Sequence, residues 1–349
     1  MIPVFDGHND FLQRMVAAGP DRDDLWLKGD GTGHIDLPRL RAGGMAGGFF
    51  AIWSPSPPAP NEAELLAQAE NPPFLTPLPD EIPAEAALPH ALAQAASLLA
   101  MERTGTLQIC HSAADITQAI DAGRIAAIMH IEGAEPIANP DMLHLWHRMG
   151  LRSLGPVWSR PTRYGHGVPF AFPSSPDTGA GLTPAGKDLV RECNKLRIML
   201  DLSHLNEAGF NDIAAISDAP LVASHSGVHA ISASSRNLTD RQLRMIAETG
   251  GLVGLNFASG FLRPDGRRLP VEGFDIILRH LDHLLGILGE HGVALGSDFD
   301  GALMPQEIED AASLPRLIQA MLAHGYDRKL VERIACGNWI GVLRRTWGG

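Results

Sequence analysis

The sequence is poor in cysteine. Its three, Cys110, Cys193 and Cys336, stand far apart, with no Cys-x-x-Cys spacing. That argues against a disulfide framework or a cysteine-held metal, and free buried thiols are the expectation. Positive charge is also short: 28 Lys and Arg against 40 Asp and Glu give a formal net charge of −12. A chain this acidic does not read as a non-specific nucleic-acid binder. No window approaches the ~20 uninterrupted apolar residues of a membrane span. The opening MIPVFDGHND has neither the basic start nor the long apolar stretch of a signal peptide. A cytoplasmic location without membrane attachment is therefore expected.

Apolar residues are plentiful, at 45% of 349 positions. Short β-branched runs alternate with longer helical patterns along nearly the whole length. Strands are expected at Ile2–Phe5, Gly47–Trp53, Ile125–Ile131, Leu151–Trp158, Arg197–Leu202, Leu221–Ser224, Leu252–Phe257 and Val293–Ser297. Eight is the number a closed parallel barrel needs. Helices are expected at Pro89–Arg103, Ile116–Ala122, Pro140–Met149, Pro184–Lys195, Asn206–Ser217, Asp240–Thr249 and Gly273–Leu288. Two more follow the last strand, near Leu314–Ala323 and Arg328–Trp347. Asn139-Pro140 and Thr239-Asp240 are helix starts by their capping chemistry. The reading is an α/β fold, one (β/α)8 barrel over residues 1–349, with C-terminal helices after about residue 313. The rhythm breaks at Pro55–Pro89, a proline-dense stretch with a short acidic, Ala-rich piece at Asn61–Glu70. A long loop on the substrate face is the expectation there.

Ionisable residues fall at the ends of these strands. His8 and Asp10 sit just past the first; as positions i and i+2 of an extended chain they face one way. Glu132 closes an apolar run, where a carboxylate is costly to bury unless it meets a cation. His204 follows the fifth strand, His225 the sixth and Asp298 the eighth. All are at C-terminal strand ends, the face on which barrel enzymes keep their catalytic groups. Histidine and carboxylate donors suit zinc and related metals. With Glu132 bridging, His8 and Asp10 complete one site and His204 and His225 another. Such a pair of ions polarises a carbonyl and supplies hydroxide at neutral pH. His144 with His147, and His280 with His283, have helical i,i+3 spacing and are expected on solvent-side faces.

The chain resembles the membrane (renal) dipeptidase family, peptidase family M19, a branch of the amidohydrolase superfamily. The resemblance rests on Asp6-Gly-His-Asn-Asp10, Ile35-Asp-Leu-Pro-Arg-Leu-Arg-Ala-Gly-Gly44, Glu132-Gly and Gly181-Leu-Thr-Pro-Ala-Gly186. It continues in Asp201-Leu-Ser-His-Leu205, Ser224-His-Ser226, Ser235-Arg-Asn237, Gly296-Ser-Asp-Phe-Asp-Gly301 and Gly337-Asn-Trp339. It implies a dinuclear zinc dipeptidase that cleaves small L,L dipeptides and tolerates a D residue at the C-terminal position. By that likeness His8, Asp10, Glu132, His204 and His225 hold two Zn2+ ions, Asp298 shuttles the proton, and Arg236 binds the substrate's terminal carboxylate. It also brings in homodimer formation, which no residue here specifies.

One position departs from the family pattern. Where the family has a histidine after strand four, thought to polarise the scissile carbonyl, this chain has Trp158. An indole N–H donates but neither titrates nor accepts. Either Trp158 donates to the developing oxyanion, or His166 in the same loop takes over, or the pocket accepts another substrate. The rival reading is thus another amidohydrolase, acting on an N-acyl amino acid or a lactam. A non-catalytic binding barrel is the third reading; loss of a ligand or of the shuttle aspartate would be its signature, and all six positions are present.

Overall fold

The structure, a computed structural model, describes residues 1–57 and 61–348. In chain order its strands are β1 (Val4–Asn9), β2 (Met45–Trp53), β3 (Phe74–Thr76), β4 (Leu107–Ile109), β5 (Ile125–Glu132) and β6 (Leu151–Gly155). There follow β7 (Phe170–Phe172), β8 (Met199–Leu200), β9 (Val222–Ser226), β10 (Leu252–Asn256) and β11 (Val293–Gly296). Parallel pairing runs β1-β2-β5-β6-β8 in one arc and β9-β10-β11 in another. Parallel bridges Asp201–Val222 and Asn9–Phe299 join the arcs. The eight expected strands therefore form a curled parallel sheet of the (β/α)8 barrel type.

Burial on both faces explains why these runs lack polar alternation over most of their length. On β5, Ala127, Met129 and Ile131 face the helices, while Ala126 and Ile128 pack inside with Phe5 and Phe49. The interior is closed from below by the C-terminal helix Asn338–Trp347. Trp339 is wholly buried; its indole N–H donates to the Leu295 carbonyl at 2.9 Å, and its ring lies 4.9 Å from Phe49. A Cβ at position 7 would come within 2.5 Å of Trp339 Cζ2 and 2.3 Å of the Ser224 carbonyl, so only glycine fits beside this plug. Trp339→Ala is expected to cost about 3–5 kcal/mol by cavity creation. A denaturant midpoint unchanged from the parent would refute the packing role.

Three short strands were not expected. β4 pairs with the start of β5, below the point where β6 begins. β3 and β7 pair antiparallel, Phe74 opposite Phe172. Their three-residue runs lie below the length at which period-two patterning is legible. Between them they organise the proline-rich stretch, whose positions 58–60 lie outside the described residues. The acidic piece is a helix, Glu62–Ala69. It is tied to the loop after β10 by Arg268 N–H donating to the Ala69 carbonyl at 2.8 Å and Arg267 Nε to the Glu70 carbonyl at 2.9 Å. Its described part from residue 61 onward thus carries a helix and a short strand pair held against the loop after β10. The next helix, Ala84–Arg103, begins five residues ahead of the expected Pro89, with that proline inside it.

The expected helix caps at Asn139 and Thr239 are present, the latter as a capping box with Gln242. The solvent-side expectation for His280 is corrected. This residue is fully buried, Nδ1 accepting from Val228 N–H at 3.2 Å and Nε2 facing the Leu262 carbonyl at 3.0 Å. Burial holds its imidazole neutral, pulled down to about 4. Helix Asp275–Leu288 turns Ile277, His280, Leu281 and Leu284 inward, so the i,i+3 spacing marked its packed face. His283 is half-buried against Asp240, whereas His144 is exposed beside Glu192. All three cysteines are buried and free. No described helix is long and apolar enough to cross a membrane.

Candidate active site

The barrel's mouth is built by strand periodicity. From the apolar Ala126 and Ile128, two-residue steps lead upward along β5 to His130 and then to Glu132. Glu132 ends the strand 3% exposed. Its Oε1 lies 3.7 Å from His8 Nε2, 3.2 Å from His204 Nε2 and 3.3 Å from His225 Nε2. His8 Nε2 lies 3.6 Å from Asp10 Oδ2, and the two histidines His204 and His225 bring their Nε2 atoms to 3.3 Å. The His8 and His225 rings stack at 3.8 Å. Three overlapping triads result: His8, Asp10 and Glu132; Glu132, His204 and His225; His8, His225 and Asp298.

Two of these residues stand on strained backbone. His204 has φ +66° and Asp298 φ +63°, the left-handed region that is uncommon for non-glycine residues. The loop after β11 also comes very close. A Cβ on Gly301 would lie 2.0 Å from Asp10 Oδ2 and 2.6 Å from Asp298 Oδ1. Glycine there lets the loop seat both carboxylates.

The electrostatics of the cluster suit a bound cation. Burial pushes the Glu132 carboxyl up to about 8 and raises Asp298 as well. Burial alone would lower His8, but the carboxylates of Glu132, Asp10 and Asp298 together hold it up at about 10. His204 and His225 are held well below the ordinary imidazole range by burial, hence neutral. Among the described residues, both ring nitrogens of His8 and Oε1 of Glu132 are buried without a hydrogen bond. Such orphans cost roughly 1–3 kcal/mol each. A tetrahedral ion with ligands at about 2.0–2.2 Å would hold its donor atoms about 3.3–3.6 Å apart. The observed 3.2–3.7 Å spacings match, so the residues fit divalent cations.

Around this cluster stand the other expected residues. Arg236 is 3% exposed; Nη1 donates to Ser226 Oγ at 2.9 Å and Nη2 to the His225 carbonyl at 2.8 Å, while Nε has no partner among the described residues. Its guanidinium lies 5.9 Å from the Phe261 ring. Asp298 Oδ2 accepts from Asn256 Nδ2 at 2.9 Å. Trp158 is half-buried in an aromatic wall, 5.2 Å from Trp53, 5.7 Å from Phe170 and 5.9 Å from His204. His166 is not drawn in: among the described residues no hydrogen bond or ring contact links its side chain to the cluster. Its backbone carbonyl accepts from Asn206 N–H at 3.3 Å.

Sequence reasoning passed over four supporting residues. His130 lies one two-residue step below Glu132, which could have marked it. Asp201 opens the Asp201-Leu-Ser-His204 motif. It is 1% exposed, and although burial opposes its charge, His130, Ser224 and Ser203 hold it below the usual carboxylate range. Ser159 Oγ meets His204 Nδ1 at 2.8 Å. Arg160, fully buried, pairs with Glu135 at 2.7 Å and donates to Ser56 Oγ and the Ser54 carbonyl. It also lies 5.3 Å from the Trp158 ring, fastening that loop to the segment after β2. Nothing in the local sequence signals this long-range pair.

A parallel α/β barrel with histidines and carboxylates gathered in its C-terminal mouth defines the class of metal-dependent hydrolase barrels. Residues 1–347 match the family model described as membrane dipeptidase, peptidase family M19. The chain belongs to that family. It is a hydrolase acting on peptide bonds. A metallopeptidase from Rhodobacter sphaeroides, solved with a phosphinate mimic of the dipeptide L-Ala-D-Ala, is 59% identical with a TM-score of 0.97, and 99% of each chain is covered. The family M19 metallopeptidase dipeptidase AC is 58% identical with a TM-score of 0.96, over 100% of this chain and 99% of that one. Dipeptidase tcpJ of Claviceps purpurea is 30% identical over 348 residues, 98% of this chain and 76% of its own length.

Proposed function

We propose that the chain is a dinuclear zinc dipeptidase working as one barrel unit, with His8, Asp10, Glu132, His204 and His225 holding two ions. The observation that carries this is Glu132 Oε1, a single buried oxygen within 3.7 Å of three histidine Nε2 atoms and, among the described residues, without a hydrogen-bond donor. Bound there, two ions would polarise the scissile carbonyl and acidify the attacking water.

The chain's own residues do the rest. Arg236 keeps Nε–H and the remaining Nη protons for a carboxylate, so substrates are selected that end one residue past the scissile bond. Asn256 occupies Oδ2 of Asp298, which leaves Oδ1 to take the proton of the attacking water and return it to the leaving amine. The ring wall of Trp53, Trp158, Phe170 and Phe261 keeps water from the flank of His204. The dipeptide mimic held by the Rhodobacter relative supports tolerance of a D residue at the C-terminal position.

Zinc-loaded protein is expected to release free amino acids from L,L- and L,D-dipeptides and to leave their N-acetylated counterparts intact. A second reading, hydrolysis of N-acyl amino acids or lactams, is favoured by Trp158, whose indole supplies one donor where the family has a histidine. Turnover of the acetylated substrates in preference to free dipeptides would establish it. Failure on every free dipeptide by protein carrying two ions would sink the dipeptidase reading.

A further inference from the structure

The two histidines beside Glu132 on its His204/His225 side are supported unequally. Ser159 Oγ meets His204 Nδ1 at 2.8 Å and, among the described residues, has no other side-chain partner. Its one proton can go to the ring or the ring's proton can come to it, so this contact leaves the tautomer open.

His225 is different. Ser224 Oγ lies 2.7 Å from His225 Nδ1 and 2.5 Å from Asp201 Oδ2. Asp201 Oδ1 already accepts Ser203 N–H at 3.0 Å and Ser224 N–H at 2.8 Å. On the far side of Oδ2, at 3.6 Å, stands His130 Nε2. A carboxylate only accepts and a hydroxyl carries one proton. Ser224 therefore gives its proton to Asp201 and accepts from His225. That places the imidazole proton on Nδ1 and leaves Nε2 bare, facing Glu132 Oε1 at 3.3 Å.

We infer that Asp201 is a positioning residue which, through the hydroxyl of Ser224, locks His225 in the Nδ1–H tautomer and so presets Nε2 as a metal donor. The inference rests on the proposed metal centre and adds to it a group that touches neither ion nor substrate. Partners of this kind are typically worth about 10–100-fold in metal affinity.

The relay makes a counterintuitive prediction. Asp201→Asn keeps an oxygen for the two backbone N–H groups but turns an N–H2 toward Ser224. The hydroxyl then donates to His225 Nδ1, and the ring proton moves to Nε2, where it blocks ligation. Replacing a carboxylate by its amide can impose the wrong imidazole tautomer in this way. Removing the hydroxyl as well frees the ring. In competition with a chromophoric zinc chelator, Asp201→Asn should weaken the second zinc about 10–100-fold. Ser224→Ala should lose less, and the double variant should recover to the Ser224→Ala level.

A merely structural Asp201 would give a double variant at least as weak as Asp201→Asn, and that result overturns the relay. So does an Asp201→Asn protein with parental affinity. Should Asp201→Asn not fold, 15N NMR of imidazole-labelled, metal-depleted parent decides, with His225 assigned by comparison with His225→Gln. A proton on Nδ1 is expected; one on Nε2 refutes the relay. Parent protein that binds no zinc would instead refute the metal centre itself, so the two failures are distinguishable.

Discussion

Asp298→Asn should leave zinc content and dipeptide KM close to those of the parent while kcat falls about 10²–10⁴-fold, the range for removing a positioned proton carrier. The amide is nearly isosteric and can keep a partner in Asn256, which donates to Oδ2 at 2.9 Å in the parent. It cannot take a proton. Asp298 also stands in a triad with His8 and His225, so a role as metal ligand is the competing account. The split of the effect separates the two. Loss of one zinc in step with loss of turnover would make Asp298 a ligand, whereas unchanged kcat would remove it from the chemistry altogether.

Arg236→Met should lower kcat/KM for free dipeptides about 30- to 4,000-fold, the equivalent of about 2–5 kcal/mol for truncating one side of a buried charge pair. Most of the loss should appear in KM. The guanidinium also bonds Ser226 Oγ and the His225 carbonyl, so a purely structural loss must be distinguished. Dipeptide amides provide the contrast. They lack the carboxylate, so parent and variant should cleave them at similar, low efficiency. An equal loss on amides and acids would show that Arg236 only supports His225, and unchanged kinetics on acids would remove it from substrate recognition.

The cluster of proposed ligands was legible as a set of positions because barrel strands deliver their last residues to one face. Apolar runs ending in Glu132, His204, His225 and Asp298 marked where ionisable groups had been placed against the cost of burial. Trp158 was legible as a departure from a family pattern. The structure places it beside Trp53, Phe170 and His204, with Arg160 fastening its loop. The Arg160–Glu135 pair and the Ser159–His204 contact were not legible. Each joins residues on separate loops whose approach depends on barrel closure.

By itself the sequence determined the alternation of strand and helix, the acidic balance and the positions at which polar groups end apolar runs. These are local properties, set by periodicity, composition and the cost of desolvating a charge. Tertiary structure alone decided that the helix Glu62–Ala69 is tied to the loop after β10, that His280 faces inward, and that Asp201 reaches His225 through Ser224. Those outcomes depend on which groups meet across the sheet and on the direction each hydrogen bond then takes. A serine or an aspartate reads the same in the sequence whether it faces water or a histidine; only the closed barrel brings Asp201 Oδ2, Ser224 Oγ and His225 Nδ1 into one line of donors and acceptors.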